Sequence, residues 1–150
     1  MSVPGINLTS STGGEVVHIG AHDTATAGRY LLSARHNVLV TDARVTNGGP
    51  GQAVAAGELL LGALASCSFG LIQEKARLLG YPLQALEAHV LFERDPVDGT
   101  RYARLELHLL AQGVSQAQAQ ELLDYFTGKC PIYNTLLRGG PASAHITAQP

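Results

Sequence analysis

The stretch from Glu58 to Leu79, ELLLGALASCSFGLIQEKARLL, constrains what this chain can fold into more than any other. From Leu59 to Ile72 it carries no charge. Those 14 residues fall short of the ~20 that a membrane-spanning helix needs, so the run reads as a helix of a protein core. Its first half is apolar on every side, and its second half, QEKARLLG, regains charge. That pattern belongs to a helix that passes through the centre and emerges at one end. Gly80 suits the C-terminal cap, and Pro82 prevents continuation. Gly62, Ser66 and Gly70, spaced by four, form a stripe of small residues, with Ala63 and Cys67 beside it. Glycine inside a helix costs about 1 kcal/mol relative to alanine, and close approach of a second helix offsets it. A single sheet cannot cover a helix that is apolar all round. A second copy of the chain is the economical cover, which predicts an obligate homodimer.

The flanking segments supply the sheet. At 150 residues the chain is expected to form one domain over 1–150, with residues 1–14, rich in Ser, Thr and Gly, as a loose lead-in. EVVHIG and GRYLLSARHNVLVTD read as strands. TNGGPGQAVAAG (46–57) matches neither a P-loop nor a GxGxxG spacing and reads as a flexible connector. After the helix, LEAHVLFER alternates, with Leu86, Ala88, Val90 and Phe92 on one face. DPVDG makes a turn, and RYARLELHLL alternates again, with Ala103, Leu105, Leu107 and Leu109 inward. A second helix is predicted from Ser115 to Gly128, with Ser115 as N-cap. GKCPIYNTLLRGG opens a short helical turn, and SAHITAQ supplies a last strand. The fold class is α+β, with helices packed on antiparallel sheet around the long helix.

A formal net charge of -2 without a basic cluster gives no footprint for nucleic acid or an anionic membrane. The start of the chain lacks the basic and apolar regions of a secretion signal, so a cytoplasmic setting is expected. The dispersed histidines show no metal-site spacing with the two cysteines, and no metal is implied; His89 and His108 fall on the wet side of their strands. Cys130 precedes Pro131, which favours the first position of a helix and makes Cys130 its cap. Unpaired N–H groups and the helix dipole there stabilise a thiolate, and Lys129 adds positive charge. Cys67, mid-helix among apolar residues, has the opposite tendency. Its pKa should rise, leaving it inert packing unless a cation lies in reach. Arg29, Arg35 and Arg44 in the N-terminal strands are the candidates.

GELLLGALASCSFGLIQEKARLLGYPLQALEAHVLFERD and the later GKCPIYNTL closely resemble the OsmC/Ohr family of small thiol proteins. Members of that family carry a Pro-x-Glu-Leu-Leu-Leu-Ala-Ala-Leu-Ala-x-Cys helix, a Gly-x-Pro-Leu turn, a hairpin and a late Cys-Pro-Val/Ile motif. HNVLVTDARVTNGG looks like the strand and Gly-Gly loop before that helix, so the likeness spans about residues 35 to 137. It implies an intertwined homodimer with sheets wrapped around paired central helices. It also implies reduction of organic hydroperoxides, with Cys67 attacking and Cys130 resolving through a disulfide. A dithiol or lipoyl-bearing protein would be the reductant, and neither metal nor flavin is needed.

The family's activating Arg falls on Arg29 in TATAGRY, with Arg35 as substitute. The peroxidase Glu lies ten residues before the attacking Cys, where this chain has Gly57, and the usual proline is replaced by Ala56. Glu58 is nine before Cys67, on the opposite face of a regular helix, and suits stabilisation of the helix N-terminus better than it suits catalysis. The departure leaves an alternative: a non-catalytic dimer that binds an apolar small molecule or senses redox state.

Overall fold

The computed structural model describes residues 9–10, 12–140 and 142–149. Much of the expected N-terminal lead-in, residues 1–8 and 11, therefore lies outside the described residues. The chain divides into two compact units, residues 1–56 and 57–150.

The first unit is a three-stranded antiparallel sheet in the order β1 (Gly20–Asp23), β2 (Arg29–Ala34), β3 (Asn37–Asp42). A two-residue turn at Arg35 and His36 joins β2 to β3, with Arg35 left-handed at φ 56° as such turns require. The strand expected at EVVHIG forms only from Gly20 onward. Gly20 pairs with Ser33, and β2 ends one residue later, so the residues before Gly20 meet no partner strand. The Gly-rich segment expected to be a flexible connector is instead tied down. Val45–Asn47 makes a turn of 3-10 helix, Gly49 N–H donates to Arg44 O, and Gln52 and Ala53 N–H both donate to Asp42 Oδ2 at 2.9 Å. Only glycine fits at position 49, where a Cβ would stand 2.2 Å from Ala43 O.

The second unit carries the long helix α1 (Ala56–Leu79, its first residue at the unit boundary), the hairpin β4 (Ala85–Arg94) and β5 (Tyr102–Gln112), helices α2 (Gln116–Lys129) and α3 (Pro131–Gly139), and β6 (Ala142–Gln149). Strand β4 pairs antiparallel with β5, but β6 pairs parallel with β5, so this sheet is mixed where an antiparallel one was expected. The reason is the connection: α2 and α3 return the chain to the end of the sheet at which β5 began. Leu105, Leu107 and Leu109 are buried, as the alternation predicts. Ala103 is not. A bulge between Glu93 and Arg94 leaves Ala103 unpaired, so Arg94 lies opposite Tyr102 and Glu93 opposite Arg104. The extra residue turns Tyr102 onto the face of Phe92, and their rings stack at 4.2 Å.

Ser115 caps α2 through a capping box with Gln118. The Gln116 amide ties α2 to β6, donating to Ile146 O and accepting from Ala148 N–H. The core gathers Leu64, Ile72 and Ala76 of α1, the β5 leucines, and Ala119, Leu122 and Phe126 of α2. Each large side chain buried there contributes about 1.5–3 kcal/mol. Within α1 only Leu64, Ser68, Ile72 and Ala76 are buried, a single i, i+4 row. Gly62, Ala63, Ser66 and Gly70 are exposed, and nothing lies within 4 Å of a Cβ built on Gly62 or Gly70.

Candidate thiol site

Two cysteines 63 residues apart in sequence meet in the second unit. Cys67 comes from the middle of α1 and Cys130 from the junction of α2 and α3, and their Sγ atoms lie 2.8 Å apart in hydrogen-bonding contact. Both are free thiols, Cys67 half-buried and Cys130 fully buried. A disulfide needs a sulfur separation of about 2.05 Å, so the backbone already holds the pair within a small shift of bonding.

Cys130 is placed by its neighbours. Pro131 takes the first turn of α3, Cys130 becomes the N-cap, and its Sγ accepts the Tyr133 N–H at 3.3 Å. Its backbone N–H closes α2 onto Phe126 O, and its carbonyl accepts from Asn134 Nδ2. The residue is thus both the end of one helix and the start of the next. Cys67 carries the opposite burden. Burial, then the hydrogen bond to Cys130, then the charge of an ionised Cys130 push its thiol from the ordinary 9.0 up to about 12. At neutral pH it keeps its proton unless a cation intervenes.

Of the other residues expected in the site, Arg29 lies in the first unit. Its Nε and Nη2 donate to Asp42 at 2.8 and 2.9 Å, and Nη2 also donates to Gln52. Asp42 is buried, and Arg29 with two backbone N–H groups holds its carboxyl below the usual range. Arg35 occupies the exposed β2–β3 turn. Glu58 stands in the first turn of α1, and because that helix is unbroken to Leu79, it lies half a rotation from Cys67. At Gly57 a Cβ would come within 3.0 Å of the Phe92 ring and 3.6 Å of the Tyr102 hydroxyl. The place of a longer side chain is thus taken by the aromatic stack.

Asp42 was missed in the sequence, although a two-residue turn at Arg35–His36 sets Arg29 opposite Asp42 directly. Phe92 and Tyr102 were missed as neighbours because the bulge changes the alternation. Among the described residues no group of His, Cys, Asp and Glu is arranged to hold a metal ion.

Residues 49–144 match the family described as OsmC-like protein. The chain belongs to the OsmC-like protein family. An OsmC-like protein from Mycoplasma pneumoniae superimposes with a TM-score of 0.78 at 18% identity, over 89% of this chain and 97% of that one. An organic hydroperoxide resistance protein OsmC from Legionella pneumophila gives 0.64 at 20% identity, over 91% and 98%. The organic hydroperoxide resistance protein OhrB of Bacillus subtilis gives 0.64 at 16% identity, over 89% and 98%. At these identities the likeness establishes the OsmC-like fold. No curated protein matches the chain. By length and composition alone α1 could cross a membrane, but its Leu64, Ile72 and Ala76 pack in the core of the second unit.

Proposed function

We propose that this protein is a cysteine-based, thiol-dependent peroxidase that reduces organic hydroperoxides, working as a cytoplasmic homodimer. The observation that carries the reading is the 2.8 Å approach of two free thiols from separate elements. Cys67 thiolate attacks the terminal oxygen of ROOH. The O–O bond breaks, RO⁻ takes a proton and leaves as the alcohol, and Cys67 becomes a sulfenic acid. Cys130 then attacks that sulfur, forming the disulfide and releasing water. A dithiol or lipoyl-bearing protein returns both thiols by exchange. Glu58 stabilises the start of α1. The exposed small-residue row of α1 supports the homodimer, since it admits close approach of a second helix.

Titration of turnover with cumene hydroperoxide and dithiothreitol tests this. Cys67→Ser is expected to abolish turnover, and Cys130→Ser to leave a dimedone-trappable sulfenic acid on Cys67. An undiminished rate in Cys67→Ser removes the proposal.

The elevated pKa of Cys67 favours a second reading, a dimer whose thiols sense redox state or pack beside a bound apolar molecule without turnover. Stoichiometric protein that consumes no hydroperoxide and forms no intramolecular disulfide would support it.

A further inference from the structure

Pro131 leaves a gap in the hydrogen bonding of the two helices that meet at Cys130. In an unbroken helix the Thr127 carbonyl would accept the N–H of the residue four places on, which here is Pro131 and has none. The Asn134 side chain supplies the missing donor. Its Nδ2 donates to Thr127 O at 2.8 Å and, through its other hydrogen, to Cys130 O at 2.9 Å. Both acceptors are carbonyl oxygens, so the amide can face them only with its nitrogen. One half-buried side chain of α3 thus grips the last turn of α2 and the residue between the helices.

That grip bears on the sulfur. Cys130 Sγ accepts the Tyr133 N–H and so moves with α3. Cys67 belongs to α1, which shares the core with Leu122 and Phe126 of α2. The angle between α2 and α3 therefore sets the distance between the thiols. The backbone bonds at the junction, Cys130 N–H to Phe126 O and Asn134 N–H to Cys130 O, each extend one helix and leave that angle free. The Phe126 and Tyr133 rings pack across the break, with centroids 5.5 Å apart, but apolar contact has no preferred direction. The bond from Asn134 Nδ2 to Thr127 O is directional, and it runs straight from α3 to α2.

We propose that Asn134 is a positioning residue for Cys130: by replacing the donor that Pro131 lacks, it holds this thiol at Cys67 and so sets how readily the two form their disulfide. Its place in turnover rests on the peroxidase reading, but the equilibrium between dithiol and disulfide needs no hydroperoxide.

Redox equilibration with glutathione tests this. Protein dithiol and one glutathione disulfide give protein disulfide and two reduced glutathiones, and mass spectrometry of acid-quenched mixtures yields the equilibrium constant. Asn134→Ala, and Asn134→Leu, which keeps the bulk but removes both donors, should each lower that constant about tenfold, a potential about 30 mV less negative. Circular dichroism identifies which of the two variants keeps its helices. A merely structural role would weaken the dithiol and disulfide forms alike and leave the constant unchanged. Ser115→Ala, which removes the capping box at the far end of α2, should behave in that way. An unchanged constant in a folded Asn134 variant, an equal fall in Ser115→Ala, or no Cys67–Cys130 disulfide in the unaltered protein at any glutathione ratio would overturn the inference. A tenfold fall in a protein that consumes no hydroperoxide would support the positioning role and fault the peroxidase reading alone.

Discussion

Replacing Cys130 by serine tests the coupling of the two thiols without dismantling the helix that holds them. A serine hydroxyl still caps α3 by accepting the Tyr133 N–H, so the fold is expected to survive. What disappears is a sulfur 2.8 Å away that hydrogen-bonds Cys67 and carries charge when ionised. Burial, the largest cause of the shift to about 12, stays in place. The Cys67 pKa should therefore fall part of the way towards 9.0, which bounds the drop at three units. Each unit raises the thiolate fraction about tenfold but lowers the reactivity of each thiolate about threefold, a net gain of about threefold. Because burial is the largest of the three causes, at most about two units are removable, and alkylation of Cys67 by iodoacetamide at pH 8, followed by peptide mass spectrometry, should speed up by up to about 10-fold. Circular dichroism of the same sample checks that the helices persist. An unchanged or slower rate in the folded variant would refute the coupling and leave burial as the sole cause.

Further substitutions test the fold that positions the site. Gly113 is left-handed at φ 83°, and a Cβ there would stand 2.4 Å from Pro82 O, so Gly113→Ala should destabilise by about 2–4 kcal/mol. Gly99→Ala, where nothing lies within 4 Å, should be near neutral in the same denaturation series. Ser115→Ala removes the capping box of α2 and should cost about 1 kcal/mol, read from the shift in urea midpoint. Asp42 has its carboxyl depressed by Arg29, so it stabilises the folded state above the unfolded pKa of about 4 and loses that contribution as pH falls below it. Asp42→Asn should lower stability at pH 7 and flatten the acid limb of stability against pH; an acid limb of unchanged slope would speak against the pairing.

How legible the molecule was depended on whether the signal was local. The end of α1 follows from Gly80 and Pro82, although its start lies two residues before the expected Glu58, and the cap at Cys130 follows from the proline after it, because each is fixed within a few residues. The alternation of β5 placed Leu105, Leu107 and Leu109 correctly and failed at Ala103, since a bulge belongs to the pairing of two strands and leaves no mark on one of them. The parallel pairing of β6 was hidden for the same reason: it depends on where α2 and α3 deliver the chain. Within the site, two thiols could be nominated from their contexts, but their meeting is a tertiary fact.

The most direct test is to mix the fully reduced protein with one equivalent of an organic hydroperoxide and follow both thiols by intact and peptide mass spectrometry. Loss of one hydroperoxide per chain, together with a disulfide joining Cys67 to Cys130 in the same chain, is the predicted result. Two thiols still titratable after the hydroperoxide has been offered, or cross-links only between chains, would contradict it.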